Sequence, residues 1–438
     1  MKPMLGFILG GLSLLASSQS LALDLVEVLD KARMADAQLQ IARHTLEAQR
    51  QQLPQARSGK RPQVTLSANA SYIDSGSDSS LKPDDTKNIL GYKLGIQQSL
   101  WNRQIDAQGD AAAAAIEKAE AEYQAAEQEL ILRVTQAYFN ILSAQDNVEF
   151  AEAEKKAIAR QLEQAKKRFE VGLIAITDVK EAQASYDAAI SREIVAHNGL
   201  DNALQALQLI IGEPVSEPLA RLGEALALKI PSSPEGDWVT LALNNNLSLR
   251  AAAAGLKSAN ENRRSARADD DPTVNLIASY AGNSIDSDLA GDMTTDELNV
   301  TLAFSMPLYN GGRSNAKAAQ AEAEYGTAQS NLLLQQRIVA QQANNAWLAV
   351  KSGISQVRAS KQALASALSA LKATEAGFEV GTRTSVDVLN SLRETYRARR
   401  DYASARYNFL LNTLKLKQAG GVLGPQDIKD INRWLTKG

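Results

Sequence analysis

The chain has 438 residues, enough for two or three ordinary domains, so core size sets no constraint. A net charge of −3 argues against a nucleic-acid footprint; with no Cys and only His44 and His197, a disulfide framework, a Cys-rich metal site and thiol catalysis are excluded. Ala, Gln, Leu and Glu dominate while aromatics make up only 5%, the composition of long helices packed side by side.

Lys2 precedes an apolar run from Met4 to Ala16, and Ser20-Leu21-Ala22 fits a small-x-small cleavage site. Residues 1–22 therefore read as a secretory signal peptide, too short for a membrane span. No later stretch offers the roughly 18–20 uninterrupted apolar residues that a transmembrane helix needs.

From Asp24 to Arg57 the apolar residues recur every three or four positions (Val26, Leu29, Leu39, Ala42, Leu46), and Pro62 ends this helix. The period then changes to two. Val64, Leu66, Ala68, Ala70 and Tyr72 alternate with Thr65, Ser67, Asn69 and Ser71. A Ser/Asp/Gly/Pro-rich loop from Ile73 to Lys87 follows, and Leu90, Tyr92, Leu94 and Ile96 resume the alternation, giving a β-hairpin over 62–100. Asn102 to Phe169 is a helical pattern without Pro, about 100 Å long at about 1.5 Å per residue. Its second half carries a heptad, with Ile141, Val148, Lys155, Leu162 and Phe169 on one row and Ala144, Ala151, Ile158 and Ala165 on the other. Lys155 is the one violation. After a turn at Gly172 a return helix runs from Thr177 to Ile211, and Pro214, Pro218, Pro231 and Pro234 mark an irregular connector.

The pattern then repeats. Phe169-Glu-Val-Gly-Leu-Ile-Ala-Ile-Thr-Asp-Val179 returns as Phe378-Glu-Val-Gly-Thr-Arg-Thr-Ser-Val-Asp-Val388, at a constant offset of 378−169 = 209. Val274, Leu276, Ala278 and Tyr280, then Leu298, Val300, Leu302, Phe304 and Met306, form a second alternating hairpin over 272–308, around a loop from Gly282 to Thr295. A long helix from Arg313 to Phe378 carries a heptad in register with the first, and a return helix reaches Gln418 before Gly420-Gly421. The expected domains are a leader (1–22), two structural repeats (23–235 and 236–421) and a C-terminal segment (422–438).

Four strands of about ten residues match what crosses a bilayer at a tilt. From the alternation alone, a small sheet packed on a helix in a soluble protein is an equal alternative. Long polar hairpin loops and an export signal favour the membrane. Four strands cannot close a barrel, and an open edge in lipid is forbidden, so several chains would have to share one barrel above a helical wall. The alternative for the whole chain is a secreted, trimeric coiled-coil structural protein or adhesin. Catalysis has no support: there is no Gly-rich phosphate loop, nucleophile elbow or paired His-x-x-x-His.

Residues 168–179, Gly381-Thr-Arg-Thr-Ser-Val-Asp-Val-Leu389, Ala405-Arg-Tyr-Asn408 and Leu308-Tyr-Asn-Gly-Gly312 resemble the TolC family of outer-membrane export channels, with a match from Leu25 to Asp430. The resemblance implies an α+β membrane protein: a homotrimer with a 12-strand transmembrane barrel, four strands per chain, on a 12-helix periplasmic tunnel with an equatorial domain. It implies an outer-membrane exit duct of tripartite efflux and type I secretion systems in a Gram-negative cell. The partners implied are a periplasmic adaptor and, through it, an inner-membrane efflux pump or ABC transporter. No cofactor, metal or nucleic acid is expected.

The resemblance also places the sites. In a gate network Asp178 and Thr177 of the outer hairpin face Arg383 of the inner one, with Gln161 nearby. Taken alone, Asp178 reads first as a helix cap and Arg383 equally as a solvated side chain. Phe378 stands where the family commonly has Tyr, so the gate is expected to lose one hydroxyl tether and to rest mainly on Arg383. Asp387 matches an inward-facing aspartate, giving a ring of three carboxylates, or again a helix cap. Asn390 stands where a second acidic ring can lie, so cation selectivity and multivalent block should be weaker. Gly172-Leu173 and Gly381-Thr382 match adaptor-contacting tips, although the glycines equally serve the turn. Lys166-Lys167-Arg168 and Arg399-Arg400 read as solvated faces. His44 and His197 read as structural, lacking a carboxylate cluster at metal-ligand spacing.

Overall fold

The computed structural model of the chain describes residues 22–75, 85–215, 217–223, 228, 235–288 and 290–436. The expected leader up to residue 21 and the middle of the first hairpin loop lie outside them. Each half of the chain lays down two short helices, a β-hairpin and two long helices. The first half has α1 (Leu25–Ala35), α2 (Ala37–Ser58), β1 (Gln63–Ser75), β2 (Asp85–Trp101), α3 (Arg103–Glu170), α4 (Ile176–Ile211) and, in the connector, β3 (Arg221–Leu222). The second has α5 (Glu235–Asn245), α6 (Leu247–Arg267), β4 (Thr273–Ser287), β5 (Met293–Ser305), α7 (Arg313–Glu379), α8 (Ser385–Ala419), α9 (Pro425–Asn432) and β6 (Leu435–Thr436). The duplication read from the constant offset is the architecture.

Helices α3 and α7, of 68 and 67 residues, are the two masts. Each changes neighbours along its length. Near its start α3 is held to α2 by Arg50–Glu120 and to α6 by Lys257–Glu117. Lower down it is held to α4 by Lys155, whose Nζ reaches both Glu193 oxygens at 2.5 and 2.6 Å. That pair accounts for the heptad violation: Lys155 occupies a core row because Glu193 of the return helix neutralises it. The largest core lies midway, where Leu130, Val134, Tyr138, Ile141 and Leu142 of α3 meet α1, α8, α9 and β3–β6. Tyr138 donates to the carbonyls of Leu23 (3.2 Å) and Ala220 (2.8 Å), sewing the start of the chain to the connector.

The sequence suggested one helix from Asp24 to Arg57. The structure breaks it at Asp36, whose extended backbone (φ −64°, ψ 116°) ends α1 and whose side chain caps α2 through the amide of Leu39 at 2.7 Å. Asn246 does the same between α5 and α6, accepting from the amides of Ser248 and Leu249. Arg133 of α3 grips both Asp36 oxygens at 2.9 Å.

The four long strands form one sheet in the order β1-β2-β4-β5, antiparallel throughout, which leaves β1 and β5 as open edges. The strands have 13 to 17 residues and run further into the loops than alternation indicated. One face carries apolar side chains in cross-strand rows. Trp101, Val274 and Phe304 form the row next to the helices; Leu66, Leu94, Tyr280 and Leu298 lie further out, and Tyr92, Gly282 and Asp296 close the band. There Tyr92 lies over Gly282 and its hydroxyl donates to Asp296 at 3.1 Å. Eight residues separate Asp296 from Phe304 along β5, about 27 Å of strand or roughly 20 Å of height at a barrel tilt. Leu66, Leu298, Val300 and Phe304 of this band are 66–75% exposed. The opposite face carries Thr65, Ser67, Asn69, Lys93, Asn283, Thr295 and Glu297. Among the described residues no helix is long and apolar enough to cross a membrane.

Burial pushes the Asp36 carboxyl up, but the Arg133 guanidinium and the Leu39 amide outweigh it and hold the carboxyl below the usual aspartate range. A depressed folded-state value stabilises above the unfolded one, about 3.9, and that stabilisation disappears as pH falls through the folded value. Asp36→Asn should therefore cost about 2 kcal/mol at neutral pH, since it leaves Arg133 without its charged partner. The difference from wild type should shrink as pH falls below about 3.9 and vanish once pH is below the depressed folded value. Thermal unfolding followed by circular dichroism across that range checks both.

Candidate functional site at the hairpin tips

Both tips are built alike. Gly172 (φ +75°) and Gly381 (φ +79°) hold a left-handed conformation that strains other residues, with open space where a Cβ would point. At the outer tip Leu173 donates its amide to the Arg168 carbonyl (2.8 Å), and at the inner tip Thr382 donates to Gly377 (2.8 Å), closing each helix end. Gly172, Leu173, Gly381 and Thr382 are exposed at the extreme end of the molecule, with Leu173 at 72%.

The two return helices start differently. Thr384 caps α8 in a reciprocal box: its hydroxyl accepts from the Asp387 amide (3.2 Å), while Asp387 Oδ2 accepts from the Thr384 amide and hydroxyl, each at 3.0 Å. These bonds, with the nearby Arg383 charge, hold the Asp387 carboxyl below its ordinary range. Both fall on Oδ2, leaving Oδ1 outside the box. Helix α4 begins at Ala175 with no side-chain cap. Asp178, read first as a helix cap, makes no cap bond, whereas Asp387, for which capping was the second reading, takes part in one as the partner of Thr384. Asp178 sits in the first turn with its carboxylate uncommitted among the described residues.

Within one chain, Arg383 and Asp178 are not joined by an ion pair among the described residues. Arg383, in the turn between α7 and α8, instead lies back over the end of α7: a Cβ added at Gly377 would fall 2.8 Å from Arg383 Cγ. The contact that joins the outer tip to the inner one is Arg168, whose guanidinium stands 4.1 Å above the centre of the Phe378 ring. Phe378 is buried to 9% exposure, whereas its repeat partner Phe169, expected in the heptad core, is 40% exposed. Arg168 is therefore no solvated side chain, and Phe378 has a tether of a different kind from a hydroxyl: a cation over an aromatic face. Gly377 occupies the position of Arg168 in the second copy (377−168 = 209) and makes room for Arg383.

Gln161 lies further up α3, with its Oε1 buried and unpartnered. Thr177 and Asn390 are exposed. Sequence reasoning missed Arg393 of α8, which donates to Ser185 of α4 at 2.8 Å. It also took Arg400 for a solvated side chain; Arg400 faces the buried Glu154 at 3.6 Å. Arg399 stacks 5.1 Å over the Tyr396 ring. His197 was set aside for lack of carboxylates, yet Glu152 and Glu193 lie beside it, their ligand atoms all within 4.8 Å of one another. Glu193 is the i−4 neighbour of His197, a spacing visible in the sequence, but its oxygens are held by Lys155.

The geometry is that of long helical hairpins with a sheet bearing an exposed apolar band at one end and glycine-turned, exposed tips at the other. The family model described as outer membrane efflux protein matches residues 28–213 and 238–422. Over 422 residues the chain is 36% identical to the outer membrane protein TolC of Vibrio cholerae, covering 96% of this chain and 95% of that protein. It is 28% identical over 437 residues to the alkaline protease secretion protein AprF of Pseudomonas aeruginosa, covering 98% and 91%. The solved structure of CusC superposes with a TM-score of 0.79 at 20% identity, over 91% of this chain and 92% of that one, which shows a shared fold. With both repeats matched, the chain belongs to the outer membrane efflux protein family.

Proposed function

We propose that three copies of this chain form the outer-membrane exit duct of tripartite efflux and type I secretion systems. The observation that carries this reading is the four-stranded sheet. It bears an exposed apolar band bordered by Trp101 and Phe304 at one end and by Tyr92 and Tyr280 at the other, and both of its edges are open. Pairing β5 of one chain with β1 of the next satisfies those edges, and three chains give twelve strands, a number that encloses a wet lumen. The polar face then lines the duct, and α3 and α7 extend it through the periplasm. A secreted spacer or adhesin would leave the apolar band without a purpose. Family and fold are those of a passive channel, and a relative named for protease secretion supports protein cargo beside small molecules.

In this reading the tips meet a periplasmic adaptor through Gly172-Leu173 and Gly381-Thr382, and the adaptor links the duct to an inner-membrane pump or ABC transporter. Asp387 of each chain contributes Oδ1 to a ring near the periplasmic end, while Asn390 one turn on adds no charge. Asp178, whose carboxylate is uncommitted among the described residues, pairs with Arg383 of a neighbouring inner hairpin, and Thr177 and Gln161 complete the network. Arg168 over Phe378 fixes the two tips of the same chain.

Single-channel recording in a planar bilayer tests the duct and its ring together. Wild type should conduct, prefer cations and be blocked by a trivalent cation added on the periplasmic side, and Asp387→Ala should lose preference and block while still conducting. Conductance with identical selectivity in the two proteins would refute the ring; failure of the purified protein to insert would refute the duct. In the same assay Arg168→Ala and Phe378→Leu should each raise the resting conductance, and the double variant should do no more than either. That outcome is expected from loss of one shared contact worth about 1 kcal/mol.

A further inference from the structure

We infer that Glu154 is the pivot on which the inner helical hairpin is anchored and turned against the outer one. This rests on the gated-duct reading above. Glu154 lies on α3 with its side chain 3% exposed, and it faces an arginine from each of two other helices. Arg192 of α4 donates to Oε1 at 2.8 Å within the outer hairpin. Arg400 of α8, in the inner hairpin, stands 3.6 Å from Oε2, which has no hydrogen-bond partner among the described residues. One carboxylate thus has a hydrogen-bonded side within the outer hairpin and a looser side that faces the inner hairpin.

The level of this contact fits the role. Glu154 precedes Gly172 by 18 residues and Arg400 follows Gly381 by 19, so both stand about 27–28 Å above their tips. Above this level the two hairpins are locked by the main core, by the stacked rings of Phe139 and Tyr407 and by the Tyr407 hydroxyl donating to Asp146 at 2.8 Å. Below it, among the described residues, they share a smaller cluster around Leu162, Ala165, Leu389 and Leu392, with Arg393–Ser185 and Arg168–Phe378 beside it. Glu154 stands at the border between the fixed and the yielding parts.

The chemistry suits a joint better than apolar packing would. Interlocked side chains lose contact with a small rotation, whereas the attraction between a carboxylate and a guanidinium falls off slowly with distance. A buried charge is costly without an opposite charge nearby, so Oε2 keeps attracting Arg400 while α8 turns. Asp387 is 13 residues from Arg400 on α8, a lever of about 20 Å. A tilt of about 15° about this point carries it sideways by about 5 Å. The joint is private to the outer copy: the repeat positions of Glu154 and Arg192 are Ala363 and Asp401 (154 + 209 and 192 + 209).

The experiment is single-channel recording of the assembled full chain with four single variants and one double. Arg400→Ala and Glu154→Gln should each give a several-fold rise in resting conductance, and Glu154→Gln/Arg400→Ala should rise no further than either. Arg192→Ala leaves Arg400 as the carboxylate's sole cation and should not raise conductance, although it lowers the heat stability of the assembly. Arg383→Ala serves as the gate control. If Arg383→Ala opens the channel while Arg400→Ala and Glu154→Gln do not, the pivot is overturned and the gate stands. If none of the three opens it, both fall. Full additivity in the double variant overturns the pivot, because the two residues would then act through different contacts. Should Arg400→Ala fail to assemble, Glu154→Gln, which keeps shape and the Arg192 bond, decides the matter alone.

Discussion

A hydrocarbon layer offers backbone amides and carbonyls no partners, and this is the constraint from which the rest of the architecture follows. The chain brings four strands with an apolar band, and the order β1-β2-β4-β5 leaves a full ladder of donors and acceptors unpaired on each side. Such a sheet is stable in lipid only when another edge closes it. The proposed trimer is the smallest arrangement that reconciles four strands per chain with a lumen, and it obliges the helices beneath to form a common wall. The length of α3 and α7, the split of their neighbours into upper and lower halves and the core midway are consistent with that wall.

Duplication explains the framework, and divergence between the copies explains the moving parts. The glycine turns superpose in conformation, with Gly172 and Gly381 at nearly the same φ. Around them the copies part. Asp387 is spent on a capping box and Asp178 is not. Arg168 reaches across to Phe378, whereas its counterpart Gly377 is a seat for Arg383. Lys155, Glu154 and Arg192 of the outer copy answer to Leu364, Ala363 and Asp401 of the inner one. The outer hairpin therefore carries an internal scaffold of charge pairs, and the inner hairpin joins it through the shared apolar clusters with arginine contacts beside them.

The parts of the fold legible in the sequence were those written in periodicity. Alternation gave the strands, a heptad gave the masts, and the constant offset gave the duplication. Strand ends were under-read because residues such as Asp85-Thr86-Lys87 and Ser284 to Ser287 lie beyond the apolar band, where no alternation is required. The break at Asp36 was missed because helical periodicity continues on both sides of it and only its cap and Arg133 reveal it. Arg168 and Arg400 were read as solvated, and Glu154 and Arg192 were not singled out, because local pattern carries no information on a partner 38 residues away or on another helix. Repeat comparison was the available signal: a charge in one copy opposite Ala or Gly in the other marks a position with a private partner.

The most direct test of the account is whether three chains close one sheet. The protein contains no Cys, so cysteine pairs report edge pairing without background. Ala68→Cys on β1, combined in turn with Cys at Leu298, Val300 or Leu302 on β5, is oxidised in outer membranes and resolved on denaturing gels. The account predicts that at least one pair cross-links neighbouring chains and that the ladder stops at three. Membrane-inserted protein that yields only monomers with every pair, or a ladder that runs past three, would contradict it.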